Sequence, residues 1–151
     1  MSMALSMRTL LATDTQIPET VRARIASGDP DSARHLMTLG VNECEAEQPL
    51  WRIARHTAIY PKDKRLPDEV PLARQDFHDM AVVMEEHMRG RQFLVGDGVT
   101  VADFVAAYTL DWANEVHLLE GTPELRGYME RMYARPQAPP RIAQALASVR
   151  A

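Results

Sequence analysis

Apolar residues along this chain recur at intervals of about three and four, the spacing of one face of an α-helix. The most regular run is PLARQDFHDMAVVMEEHMRGR. Ala73, Phe77, Met80, Met84 and Met88 form its stripe with Leu72 and Ala81 beside them, while Arg74, Asp76, Asp79, Glu85 and Glu86 fall outside it. Gly90 ends the run where a left-handed residue is wanted. A second helix opens at Thr100 and is predicted to reach about Leu119. A third has Thr122 as its cap, Pro123 in its first turn and a stripe of Leu125, Tyr128, Met129 and Met132, and it stops before Pro136. The last places Ile142, Leu146 and Val149 on one face.

Upstream, Asp29, Pro30 and Asp31 read as a helix start, with a cap, a first-turn proline and an acid at the positive end of the dipole. That helix carries Leu36, Gly40, Cys44 and Glu47 until Pro49 interrupts it, which predicts a kink or a second helix over EQPLWRIARHTAIY. The stretch YPKDKRLPDEVP, with three prolines and many charges, reads as an exposed loop. No segment alternates polar and apolar residues long enough for a strand. The pattern predicts an all-α bundle of five to six helices. Residues 1–28 stand apart as a weakly structured extension in which Val21 and Ile25 allow one short helix.

Composition narrows the function classes. A chain of 151 residues suits one domain with a real core. Its net charge of −4 argues against nucleic acid as the main partner. Lys62 and Lys64 are the only lysines beside many arginines, a bias typical of GC-rich bacterial genomes. Cys44 is the single cysteine, which excludes an intrachain disulfide and fits a reducing cytoplasm. The start of the chain lacks the charge order of a signal peptide, and no window is apolar enough for a membrane span.

Candidate chemistry is sparse. Cys44 lies among Glu43, Glu45 and Glu47, which disfavour a thiolate, so it reads as structural. His35, His56, His78, His87 and His117 are scattered without an HExxH spacing, and no metal site is expected. In GDGVTVADFVAAY, Thr100 and Asp103 have the spacing of a capping box, and Val99 and Phe104 that of a hydrophobic staple. This assigns Asp103 to helix initiation and leaves no catalytic residue. Binding is the stronger theme: Trp51, Arg55 and Tyr60, with Tyr108 and Trp112 further on, combine aromatic rings with a guanidinium, a pairing that holds planar ligands or carboxylates. A core or dimer role for Trp51 and a surface ion pair for Arg55 remain the plainer alternative. Asp111, costly to bury alone, is expected to meet a backbone N–H or an arginine.

The segment RQFLVGDGVTVADFVAAYTLDWA resembles the approach to the central helix of the glutathione transferase C-terminal domain, and LRGYMERMYARPQAPPRIAQAL resembles that domain's next helix, its arginine-proline stop and its final short helix. DPDSARHLM, EAEQPLWRIARHT and the methionine-rich helix fit that family's first two long helices. The resemblance covers roughly residues 29–149 and implies a helical domain over 29–151. In that family a thioredoxin-like domain supplies the glutathione site and the thiol-activating group, and the 28 residues before Asp29 hold no such pattern. It therefore implies a binding or assembly module able to hold a hydrophobic small molecule, working as a homodimer or with a thioredoxin-like partner. Glutathione would enter only with that partner. A truncated transferase and a protein-interaction adaptor are the alternatives.

Overall fold

Five α-helices and no strand are found among the described residues, which in this computed structural model are 46–150 for the backbone and 46–149 for side chains. They are α1 (Gln48–Ala54), α2 (Glu69–Met88), α3 (Val101–Glu115), α4 (Pro123–Tyr133) and α5 (Ile142–Arg150). A π-helical turn, Arg55–Ile59, extends α1, and a 3-10 turn, Lys62–Lys64, interrupts the loop after it. The helix predicted from Asp29, the boundary at residue 29, Cys44 and His35 all lie outside the described residues.

Helical backbone is already present ahead of Pro49: residues 46–47 are π-helical and Glu47 has helical φ and ψ, so α1 continues from them through the proline, and the widened turn accommodates its missing N–H. Leu50 and Ile53 bury the inner face of α1, and α1 packs on α2. Arg52 fastens this pair at the surface through ion pairs to Glu69, at 2.9 Å, and to Asp76. The loop is shorter than the prolines imply: α2 begins at Glu69, and Pro71 is absorbed into its first turn.

Along α2 the buried positions are Ala73, Phe77, Ala81 and Met88, with Met80 and Met84 packed at the margin of the core. Leu72 is exposed instead of flanking the stripe. Gly90 follows the helix at a φ of 69°, the left-handed conformation that glycine adopts without a Cβ clash. The chain then folds back: the His87 ring donates to the Leu94 carbonyl at 2.9 Å, and Leu94 and Val95 enter the core.

Helix α3 is the buried centre. Ala102, Ala106, Ala107 and Ala113 line it, and their small side chains let neighbouring elements approach closely, with Leu110 filling the space between. It stops at Glu115, short of the predicted Leu119, because the chain closes a Schellman motif there. Leu118 N–H reaches the Ala113 carbonyl at 2.9 Å and His117 N–H the Asn114 carbonyl at 3.1 Å. His117 occupies the left-handed position, at a φ of 58°, where glycine is usual. Arg74 of α2 donates to the Val116 carbonyl at 3.3 Å, covering one of the free acceptors at this end.

Helix α4 packs on both α2 and α3, burying Leu125, Tyr128, Met129 and Met132. Its start departs from the sequence expectation. Thr122 occupies the cap position, but its hydroxyl donates backwards to the Leu119 carbonyl at 3.0 Å. The acceptors come from Glu85 of α2, whose two oxygens each take a bond of 2.9 Å, from Glu124 N–H and Leu125 N–H. Pro123 has no N–H to satisfy, and Arg126 N–H reaches the Thr122 carbonyl at 3.1 Å.

Helix α5 carries Ile142, Leu146 and Val149 on one face, of which Ile142 is half-buried, while Leu146 and Val149 are 50% and 85% exposed. A polar anchor holds its start against α3: Asp111, wholly buried, accepts from Arg141 Nε at 2.7 Å and from Ile142 N–H at 2.8 Å. Asp111 therefore meets both the arginine and the backbone N–H that its burial requires.

Candidate functional site

The start of α3 shows what Asp103 does. Its side chain is fully buried and accepts four hydrogen bonds. Oδ2 takes Thr100 N–H and the Thr100 hydroxyl, both at 2.8 Å. Oδ1 takes Leu94 N–H and the Tyr128 hydroxyl, both at 2.9 Å. Thr100 and Asp103 form the capping box. Val99 packs on the core, but Phe104 is 54% exposed. The loop is thus fixed mainly by Asp103, which joins the residue before the helix, the chain from α2 and a tyrosine of α4. Burial, followed by the adjacent Asp103 charge, pushes the Tyr128 phenol far above its ordinary pKa and keeps it a donor.

Of the binding candidates, Trp51 and Trp112 come together. Their rings meet edge to face, with centroids 4.9 Å apart and planes at 85°, a favoured aromatic geometry. Trp112 is half-buried on α3, whereas Trp51 is 42% exposed on α1. The Trp51 indole N–H is satisfied by Glu47 Oε1 at 3.0 Å, one turn earlier. Tyr108 lies one turn before Trp112 on α3 and is half exposed. The pair therefore leaves an open aromatic surface bounded by α1 and α3.

Arg55 follows Trp51 by one turn, and its backbone N–H bonds the Trp51 carbonyl. Its guanidinium is exposed and has no hydrogen bond or ion pair among the described residues. Tyr60 belongs to a different cluster. It packs edge-on against His56, with centroids 5.3 Å apart, and its carbonyl accepts from Arg65 Nε at 2.7 Å. In the same cluster His56 Nδ1 accepts Leu66 N–H at 3.0 Å. Tyr60 thus shapes the loop into α2.

Two groups near the aromatic surface escape a reading by local spacing. Tyr133, from α4, lies beside Asp111 and has its pKa pushed up to about 12, chiefly by burial, then by the Asp111 carboxylate, with a smaller contribution from Tyr108. Arg141 lies over the Tyr133 ring, 5.8 Å from its centroid. These neighbours come from helices distant in sequence, and no motif announces them. Glu47 alone has a local signal, its i to i+4 spacing to Trp51. Chemically, the surface offers stacking, edge contacts and the Arg55 cation. Among the described residues no group of three or more His, Cys, Asp or Glu side chains is placed to share a metal ion, and no helix is long and apolar enough to cross a membrane.

Comparison with known proteins agrees with this architecture. Residues 48–136 match the family model described as glutathione S-transferase, C-terminal domain. The glutathione S-transferase-like protein LUC7 of Fusarium sp is 30% identical over 117 residues, covering 78% of this chain and 46% of that protein. The crystal structure of the glutathione transferase URE2P5 from Phanerochaete chrysosporium superposes with a TM-score of 0.66 at 19% identity, over 80% of this chain and 54% of that one. The chain thus spans about half the length of these relatives. With the family model covering more than half of the chain and the central helix, cap and helix order all in place, the protein belongs to the glutathione S-transferase family through its all-helical C-terminal domain.

Proposed function

We propose that this domain is a binding module that holds a hydrophobic, aromatic small molecule on the Trp51–Trp112 surface, with Tyr108 at its edge. The observation that carries the reading is the exposed edge-to-face tryptophan pair. Large rings contribute most of the contact energy in such sites, and a pair already locked together loses little freedom on binding. The module works in the cytoplasm, as a homodimer or beside a thioredoxin-like unit. Nothing in its described side chains activates a thiol, so conjugation is not assigned to this domain alone.

The relatives favour a second reading. Both are about twice as long as the matched region and carry transferase names. Val101, Phe104 and Tyr108, each more than half exposed, share one side of α3 and offer a face to a further unit. In this reading the domain supplies the hydrophobic co-substrate site of a glutathione transferase, and a thioredoxin-like unit supplies glutathione.

One set of measurements separates the two. Trp51 and Trp112 are the only tryptophans, so intrinsic fluorescence reports on this surface alone. Titration with neutral N-phenylnaphthylamine is expected to quench it and to saturate, while glutathione gives no heat in calorimetry and no turnover with chlorodinitrobenzene. Turnover by the purified chain at the level of an ordinary transferase would replace the first reading with the second. Absence of saturable quenching would remove the ligand surface from both.

A further inference from the structure

Asp97 is the one aspartate or asparagine of the chain that glycine follows. Every other described aspartate precedes a larger residue, as Asp103 does Phe104 and Asp111 does Trp112. The Asp97–Gly98 pair sits at the tip of the loop that enters α3. Gly96, Asp97 and Gly98 are all exposed, and Gly96 turns the chain there at a φ of 65°.

This loop is held at its two ends and not at its tip. Asp103 accepts Leu94 N–H at 2.9 Å on one side and Thr100 N–H at 2.8 Å on the other, and Val95 and Val99 pack on the core. Between these anchors the Asp97 carboxylate accepts no hydrogen bond and the Gly98 N–H donates none among the described residues. Gly98 does not have a positive φ, and a Cβ placed on it would meet nothing within 4 Å. The backbone therefore does not require glycine at this position. What glycine leaves is an uncovered amide nitrogen beside a free carboxyl group, on a stretch with the wide conformational freedom of a residue without Cβ.

We infer that Asp97 is a site of spontaneous modification, isomerising to isoaspartate in the folded domain. The Gly98 nitrogen attacks Asp97 Cγ. The N–Cγ bond forms, a Cγ–O bond breaks, and the carboxyl hydroxyl leaves with the amide proton as water, closing a succinimide ring. Water then opens the ring at either carbonyl. Opening at Cγ restores aspartate. Opening at the Asp97 main-chain carbonyl breaks its bond to the Gly98 nitrogen, so the chain runs through Cγ and the former main-chain carbonyl becomes a free carboxylate. Water is the sole co-reactant, and nothing is oxidised or reduced. The product adds one methylene to the backbone between the Leu94 and Thr100 anchors, and it carries the carboxylate that isoaspartyl methyltransferases esterify. Asp103 and Asp111 escape this chemistry, because both are fully buried, both are engaged by hydrogen-bond donors, and bulky residues follow them.

The full chain, incubated for weeks at neutral pH below its melting temperature, tests the assignment, with circular dichroism recording that it stays folded. The aged protein is then denatured. Isoaspartate is quantified by methyl transfer from labelled S-adenosylmethionine with an isoaspartyl methyltransferase, and placed by the loss of cleavage before residue 97 by an aspartate-specific endoprotease. Label is expected to accumulate at Asp97, with cleavage before Asp103 and Asp111 unchanged. Gly98→Val, which covers the nitrogen and has room for its side chain, should lose the signal. Asp97→Glu, which keeps the charge but disfavours the ring, should lose it as well. Asp97→Asn should accumulate isoaspartate faster than wild type, because its amide leaves as ammonia more readily than a carboxyl leaves as water. No label in aged wild type, label placed at other aspartates, or label at Asp97 undiminished in Gly98→Val would each overturn the inference.

Discussion

At the scale of the single residue, Asp103 is the clearest case of a carboxylate that resembles chemistry and does structure. Its local partner is legible in the sequence, because Thr100 stands three residues earlier and the spacing is that of a capping box. Its distant partners are not: Leu94 and Tyr128 reach it only once the loop and α4 have folded around it. Removing the carboxylate strands buried donors, each worth about 1–3 kcal/mol. Asp103→Ala is therefore expected to destabilise the domain by about 3 kcal/mol or more. Asp103→Asn should lose about 2 kcal/mol, since its amide turns two hydrogens toward groups that are themselves donors. Tyr128→Phe, which deletes one donor and leaves the carboxylate three, should lose about 1 kcal/mol. Urea unfolding followed by circular dichroism gives all three values. An Asp103→Asn variant as stable as wild type would show that the geometry described is not what holds this loop.

At the scale of the element, periodicity locates the helices while their ends follow other rules. The methionine-rich stripe of α2 is a local pattern that survives into the fold, but Leu72, at its N-terminal edge, stays exposed. The end of α3 and the start of α4 depend on tertiary partners. Glu85 falls outside the apolar stripe of α2, yet its two oxygens accept the first free N–H groups of α4. Glu85→Ala is expected to cost about 1–2 kcal/mol, the worth of a good cap, and more than Glu85→Gln, which keeps one acceptor. At the other junction His117 holds a left-handed conformation without being glycine. His117→Gly should stabilise the domain by about 0.5–1 kcal/mol, because relief of the Cβ clash outweighs the added freedom of the unfolded chain. Thermal melts of both variants decide this, and a melting point lowered by His117→Gly would mean that the imidazole makes a contact worth more than the strain. The binding candidates divide in the same way. Trp51 and Trp112 share a plausible role in sequence and do meet, whereas Tyr60 is their neighbour only along the chain, and the π-helical turn carries it to His56.

At the scale of the whole molecule, α3, α4 and α5 each begin on a carboxylate: Asp103 for α3, Glu85 of α2 for α4, and Asp111 of α3 for α5. Two of these acids also hold tyrosines protonated, and this gives the fold a particular response to alkali. Ordinary tyrosine titrates at 10.0, but burial and Asp103 push Tyr128 well above that, and burial and Asp111 push the half-buried Tyr133 up to about 12. Above pH 10 the unfolded chain releases phenolic protons that the folded chain retains. The stability these two residues contribute is therefore complete below pH 10 and is lost as pH rises from 10 toward 12 and beyond. Few other groups obscure the effect, since the chain has only two lysines and one cysteine. The unfolding free energy should be nearly flat as pH approaches about 10 and then fall, with a limiting slope of about 1.4 kcal/mol per pH unit from Tyr128 alone. In Tyr128→Phe the fall above about pH 10 should be shallower, although the variant starts from lower stability. Denaturant unfolding at stepped pH, with tyrosinate absorbance recorded alongside, measures both slope and ionisation. Tyr128 and Tyr133 titrating at the ordinary value in the folded protein, with no change of slope in Tyr128→Phe, would break the link between the helix-starting carboxylates and these phenols.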